Sequence, residues 1–221
     1  MMQKTQKSEK AQRILSQITD KTMLGQLRKM AKEINKDHES ALEIWSTGEY
    51  LPRLLAILIM DKKRLPQELL DQLNQDMQSH PLLERTNLSD WLMANQLVKD
   101  KKNIALIESW ERSPLALQRR TFWYYQGRLR WTGKTDQGNT LELLTKIEEN
   151  IIQEQPEVQW AMNFTAGWIG VYNEKYRARC IELGEKTGLY KEDKVSKGCT
   201  PNYLPGFITI EVGKRQKHKS N

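Results

Sequence analysis

Tyr50-Leu-Pro-Arg-Leu-Leu-Ala-Ile-Leu-Ile-Met60 decides how the rest of the chain is read. The segment is apolar nearly all round, which predicts a helix buried on every side. Its most apolar window, Leu54 to Met60, is far short of the roughly 20 residues a membrane span needs. Pro52 suits the first turn of such a helix, where a missing N–H costs nothing. Outward from it, Pro66, Pro81, Pro114 and Pro156 each stand before an apolar-periodic segment in the same way. Toward the N-terminus, Leu24, Leu27, Met30, Ala31 and Ile34 recur at helical spacing after Thr22, a possible N-cap. Asp37 can cap the next helix, with Ala41, Leu42, Ile44 and Trp45, and Thr47-Gly48 ends it. Residues 1 to about 20 are polar, with Ile14, Leu15 and Ile18 offering a short amphipathic helix. Asn139 with Glu142 three residues on resembles a capping box.

This punctuation predicts helix after helix with short connections, and no strand except an ambiguous Phe207 to Val212. The fold class is therefore all-α, either a bundle or an α-solenoid of HEAT type whose repeats are too degenerate to show as identity. A single domain over 1–221 is expected: a polar helix or arm at 1–20, repeats over 22–212, and a strongly basic, fraying tail from Gly213. A solenoid carries a functional corollary, because stacked helix pairs present a concave face able to hold a duplex.

Thirty-five Lys and Arg against twenty-eight Asp and Glu leave a net charge of +7, which favours an acidic partner such as nucleic acid or an anionic membrane surface. The N-terminal Met-Met-Gln-Lys-Thr-Gln-Lys has no hydrophobic core for a signal peptide, so a cytoplasmic or nucleoid location is expected. Two cysteines, Cys180 and Cys199, exclude a disulfide framework and a zinc ribbon.

Leu117-Gln-Arg-Arg-Thr-Phe-Trp-Tyr-Tyr-Gln-Gly-Arg-Leu-Arg-Trp131 gathers five aromatic rings and four arginines. On a helix, Arg120, Trp123, Tyr124, Gly127 and Trp131 share one face, and rings beside guanidinium groups suit a flat anionic partner. A core helix with snorkelling arginines is the competing reading; Phe122 and Tyr125, in line with Leu129, fit core packing in either case.

Motifs for phosphoryl transfer, hydride transfer and metal hydrolysis are missing: there is no Walker A loop, no dinucleotide-binding glycine fingerprint, no Gly-x-Ser-x-Gly elbow and no His-Glu-x-x-His. His38, His80 and His218 are scattered, so no metal site is expected. What remains is Asp90, in Thr86-Asn-Leu-Ser-Asp90-Trp-Leu-Met-Ala-Asn-Gln-Leu-Val98. Within a continuous helix its carboxylate lies among apolar neighbours, a placement that costs free energy unless the group is paired or used. The alternative is that Ser89 or Asp90 caps a helix beginning at Trp91.

From roughly Leu27 to Lys214 the chain resembles the AlkD-like DNA alkylation repair family of HEAT-like-repeat glycosylases. The resemblance rests on Leu27-Arg-Lys-Met-Ala-Lys-Glu-Ile34 with Asp37-His-Glu-Ser-Ala-Leu-Glu-Ile-Trp45, and on Ala161-Met-Asn-Phe-Thr-Ala-Gly-Trp-Ile-Gly170. That family's catalytic Asp closes a Trp-Asp-x-x-Asp pattern; here Asp90 is retained, while Thr86 stands at the Trp position and Asn87 at the first Asp. The resemblance also implies a phosphate-binding role for Arg120, with Arg119 and Arg128 beside it, and puts Phe164 at a second cleft Trp. Trp123 and Tyr124 would be substitute cleft rings.

The implied reaction is hydrolysis of the N-glycosidic bond of purines alkylated at N3 or N7, in duplex DNA. The lesion is already cationic and leaves readily, so a fixed carboxylate that stabilises developing charge on the sugar and positions water is sufficient chemistry. Asp90 would take that role, aromatic faces would favour the cationic base, and no cofactor or metal would be needed. A monomer acting on double-stranded DNA is expected, away from membranes. The alternative function is a catalytically weak or inactive HEAT-like module that binds DNA or protein.

Overall fold

The computed structural model describes residues 7–133 and 138–219. Residues 1–6 of the expected N-terminal arm and 220–221 of the basic tail lie outside the described residues. The described residues form twelve α-helices and three short 3-10 turns, with no strand. They group into two compact units, which divide between Gln118 and Arg119.

The first unit contains α1 (Glu9–Leu15), α2 (Leu24–Ile34), α3 (His38–Trp45), α4 (Tyr50–Ile59), α5 (Gln67–Met77), α6 (Leu82–Asn95) and α7 (Lys101–Ser109). As its composition demanded, α4 is the hub: Leu54, Leu55, Ala56, Ile57 and Ile59 are fully buried, with α2, α3 and α6 packed around it. Its one charged core residue, Arg53, is satisfied within the unit. It lies over the Trp45 ring at 4.8 Å and donates from Nη1 to the Asp76 carbonyl at 2.7 Å. Asp37 caps α3 as expected, accepting from the Ser40 N–H at 3.1 Å and from its hydroxyl at 2.7 Å. The left-handed Gly48 (φ 77°) follows the end of α3 and turns the chain into α4. Thr22 is not a cap: α2 begins at Leu24 after Met23, and the Thr22 hydroxyl instead accepts from the Thr19 N–H.

The division between the units falls within α8 (Ala116–Trp131), and the second unit continues with α9 (Thr140–Asn150), α10 (Pro156–Tyr172), α11 (Glu174–Thr187) and α12 (Leu204–Lys219). Pro156 opens α10, and Pro66 and Pro81 are the N-caps of α5 and α6. Asn139 does precede α9, but it forms no capping box. Its Oδ1 accepts from the buried Arg130 at 2.9 Å, which removes it from the helix end.

Phe207 to Val212 is helical, within α12. Leu204 and Ile208, one turn apart, are 1% and 0% exposed, and the helix packs against α10 and α11. That docking depends on close approach at two glycines: a Cβ on Gly170 would lie 2.6 Å from Ile208 Cδ1, and one on Gly184 would lie 2.5 Å from Pro205 Cδ. The backbone of the basic tail continues α12 as far as Lys219. No helix among the described residues is long and apolar enough to cross a membrane.

Candidate nucleic-acid interface and catalytic segment

The second unit assembles a face of alternating rings and guanidinium groups. Along α10, Trp160, Phe164, Trp168 and Tyr172 follow one another at four-residue intervals, so a single helical stripe carries them all. Their centroids step by 5.3, 6.1 and 5.8 Å. From α8, Tyr124 meets Phe164 edge-on at 5.0 Å, and Trp131 stacks on Trp168 at 6.0 Å. Phe207 of α12 closes the far side, edge-on to Trp168 at 5.2 Å.

Phe164 lies at the centre of this cluster, and the α8 backbone makes room for it. A Cβ on Gly127 would sit 2.6 Å from Phe164 Cδ1, so only glycine lets the two helices approach this closely. The Thr165 hydroxyl fixes the same crossing by donating to the Trp123 carbonyl at 2.6 Å. At the end of α10, the Tyr172 hydroxyl donates to the Trp131 carbonyl at 3.0 Å.

The arginines divide by environment. Arg120 is 4% exposed; its Nη1 donates to the Glu157 carbonyl at 2.9 Å, and its guanidinium lies 4.8 Å from the Trp160 ring and 5.7 Å from Tyr124. It positions rings from inside the cluster. Arg128, half-exposed, lies between Tyr124 (5.9 Å) and Trp131 (5.7 Å), with its charge toward the aromatic faces. Arg215 of α12 covers Tyr172 at 3.8 Å. Arg119 is committed elsewhere, in a bidentate pair with Glu154 at 2.9 and 2.8 Å. Trp123 is 2% exposed and packs edge-on to Phe122, on the core side of α8. Phe122 and Tyr125 are core residues too.

Of the residues expected at a cleft, the structure therefore brings together Arg120, Tyr124, Arg128 and Phe164, and keeps Arg119 and Trp123 apart from them. Trp160, Trp168, Tyr172 and Arg215 were not anticipated. The four-residue spacing of the four rings on α10 was the signal that could have found them.

Behind this face, Tyr190 holds a positive φ of 63°, and burial with the nearby Asp193 pushes its phenol up to about 12, against the opposing pull of Arg120. Cys180 is fully buried, and its thiol is likewise raised to about 12 by burial, so it is an inert core group. Cys199 is exposed.

The carboxylate segment belongs to the first unit. Asp90 lies in the middle of α6, two turns past its Pro81 cap, so neither Ser89 nor Asp90 begins a helix. It is half-buried, between the buried Ser89 and Trp91. The Arg28 guanidinium of α2 covers the Trp91 ring at 4.6 Å. Thr86 turns its hydroxyl back to the Leu83 carbonyl at 3.1 Å. Asn87, one turn before Asp90, donates its amide to the Tyr50 phenol oxygen. Burial raises the Tyr50 phenol above its ordinary value, against the Asn87 hydrogen bond and with help from Glu84. Tyr50 also meets His80 edge-on at 6.3 Å, and His80 Nδ1 lies 2.7 Å from Glu84 Oε2. A polar chain of His80, Glu84, Tyr50 and Asn87 thus supports the turn that precedes Asp90. Among the described residues, no group of three His, Cys, Asp or Glu is placed to hold a metal ion.

Comparison with known proteins gives this arrangement a lineage. No curated protein matches the sequence. A solved structure described as a member of a new family of proteins related to the HEAT-like repeat DNA glycosylases, with affinity for branched DNA structures, aligns over 96% of this chain and 89% of its own. The TM-score is 0.63 at 17% identity, so the two share a fold, and the fold of this chain is the HEAT-like all-helical one. Residues 6–172, which include both α6 and the stripe of rings on α10, match the model of the DNA alkylation repair enzymes. The chain is a member of the DNA alkylation repair enzyme family.

Proposed function

We propose that the protein is a monofunctional DNA glycosylase that releases cationic N3- or N7-alkylated purines from duplex DNA. The observation that carries this reading is the position of Asp90: a half-buried carboxylate in mid-helix, in the segment that resembles the family's catalytic pattern. In the reaction, the C1′–N bond breaks and its electron pair returns to the base, which leaves as a neutral purine. The sugar gains cationic character, and the Asp90 carboxylate stabilises it while accepting a hydrogen bond from water attacking C1′. The proton of that water passes through the carboxylate to solvent.

The rings and guanidinium groups of the second unit supply affinity for DNA. The faces of Tyr124, Trp160 and Phe164 attract cationic groups, and Arg128 contributes charge to the phosphate backbone. Arg120 acts by holding Tyr124 and Trp160 in place.

A second reading has its own observation. Thr86 has no aromatic face, and Asn87 is held by Tyr50 and carries no charge, so the segment before Asp90 lacks the aromatic and acidic side chains of the family pattern. This favours a DNA-binding member in which hydrolysis is slow or lost, in keeping with the branched-DNA affinity of the structural relative. Incubation with duplex DNA carrying 7-methylguanine or 3-methyladenine separates the two. Free base should accumulate with the wild-type protein and not with Asp90→Asn, while both proteins bind the duplex equally. Release at the spontaneous rate with the wild-type protein removes the enzyme and leaves the binding module.

A further inference from the structure

The first unit contains a strongly basic groove that neither the catalytic segment nor the aromatic face uses. Two hollows of about 940 and 640 Å³ meet at Lys62 and Lys63, which line both. On one side the wall is α2, with Arg28, Lys32 and Lys36. On the other it is the turn into α7, with Lys99, Lys101 and Lys102. Together the two hollows present eight cations and only two carboxylates, Asp61 and Asp100.

Both carboxylates are already engaged. Asp61 accepts from the Lys63 N–H at 3.0 Å and pairs with Lys36 at 3.1 Å, and these contacts hold it below the ordinary carboxylate range. Asp100 caps α7, accepting from the Lys102 N–H at 3.0 Å. The shared residue Lys62 is also fixed to the wall formed by the turn into α7. Lys62 Nζ donates to the Lys99 carbonyl at 2.9 Å, and the buried Asn103 donates to the Lys62 carbonyl at 2.8 Å. The lysine heads of the groove therefore sit on a rigid frame, with Lys32, Lys63, Lys99, Lys101 and Lys102 all exposed.

We infer that this groove binds the sugar-phosphate backbone of double-stranded DNA, as a contact separate from the aromatic face. Lysine is a flexible point charge without the planar fork that selects one small anion, and a row of lysines suits a repeating polyanion read without sequence. Neither hollow is lined by an aromatic ring, so it offers no platform for unstacked bases and fits a paired duplex better than a single strand. The inference rests on the reading of DNA as the partner, but not on catalysis.

The test uses the full chain and intact, unmodified duplex DNA. Lys32→Glu, Lys63→Glu and Lys102→Glu are combined, since these side chains are exposed and none is a cap or a core group. A control chain reverses three exposed lysines away from the groove, Lys191, Lys194 and Lys197, and so has the same net charge. Each phosphate contact contributes about 0.9 to the slope of log affinity against log salt, so the groove variant should lose roughly 2 to 3 from that slope. Its affinity at 100 mM salt should fall at least tenfold, with the control close to wild type. Equal losses in the two variants would reduce the effect to net charge and overturn the groove, as would no loss in either.

Sedimentation with phosphatidylserine vesicles covers the other polyanion. Vesicle binding lost in the groove variant, with DNA binding unchanged, would assign the groove to a membrane surface and also overturn the inference. Base release from alkylated duplex at saturating protein reports Asp90 separately, so failure of the groove and failure of the glycosylase give different results.

Discussion

Gly127 controls how the aromatic face is built. Its missing side chain is the space into which Phe164 fits, and the neighbouring Thr165 cannot yield, because its hydroxyl is tied to the Trp123 carbonyl. Gly127→Ala should therefore force the Phe164 ring outward, at a cost of about 1–3 kcal/mol for an overfilled contact. Urea denaturation should show the loss of stability, and affinity for alkylated duplex should fall with it, while Asp90 is untouched. Residue types alone signalled the arginines and rings of α8, but not their separate fates. Arg119 pairs with Glu154, 35 residues along, and no local spacing reveals such a contact. Whether an arginine faces a phosphate or a carboxylate is settled by tertiary packing, which periodicity does not encode.

At the scale of elements, caps and apolar periods fixed most helices in advance. The Asp37 cap on α3 was legible because a short acceptor directly before an apolar period satisfies the first free N–H groups. The same carboxylate also pairs with Lys10 of α1 at 2.6 Å, a contact between helices that the sequence did not reveal. Burial raises the Asp37 carboxyl, but hydrogen bonds from Lys10 and Ser40 outweigh it and hold the group below its ordinary 3.8. A depressed folded value means stability that is present above the unfolded value and lost as pH falls through the folded one. Asp37→Asn should thus melt below wild type at pH 7, and the gap should shrink as pH falls below 3.8; a gap that stays constant down to full protonation would show that the charge of Asp37 is irrelevant to stability. By contrast, α12 was not legible as a helix, since Phe-Ile-Thr-Ile-Glu-Val at 207–212 is rich in β-branched residues. What decides its state is docking on Gly170 and Gly184, which lie on other helices.

For the molecule as a whole, composition already pointed to an acidic partner, and the described surface shows where the positive charge is concentrated. The net charge of +7 is not spread evenly: the lysine groove of the first unit and the arginines among the rings of the second differ in chemistry. The all-helical class was available from sequence, as were the residues of the segment proposed to be catalytic. The groove was not, because Lys32, Lys63 and Lys102 belong to three separate elements and only folding sets them along one channel. The stacked indoles of Trp131 and Trp168 have an optical consequence. At 6.0 Å and 22° their transition dipoles are coupled, so the far-ultraviolet circular dichroism should contain an indole exciton couplet that Trp131→Phe removes. Because Trp131 is 46% exposed, a base inserted against it would change that couplet, and the protein would carry its own label-free gauge of lesion engagement.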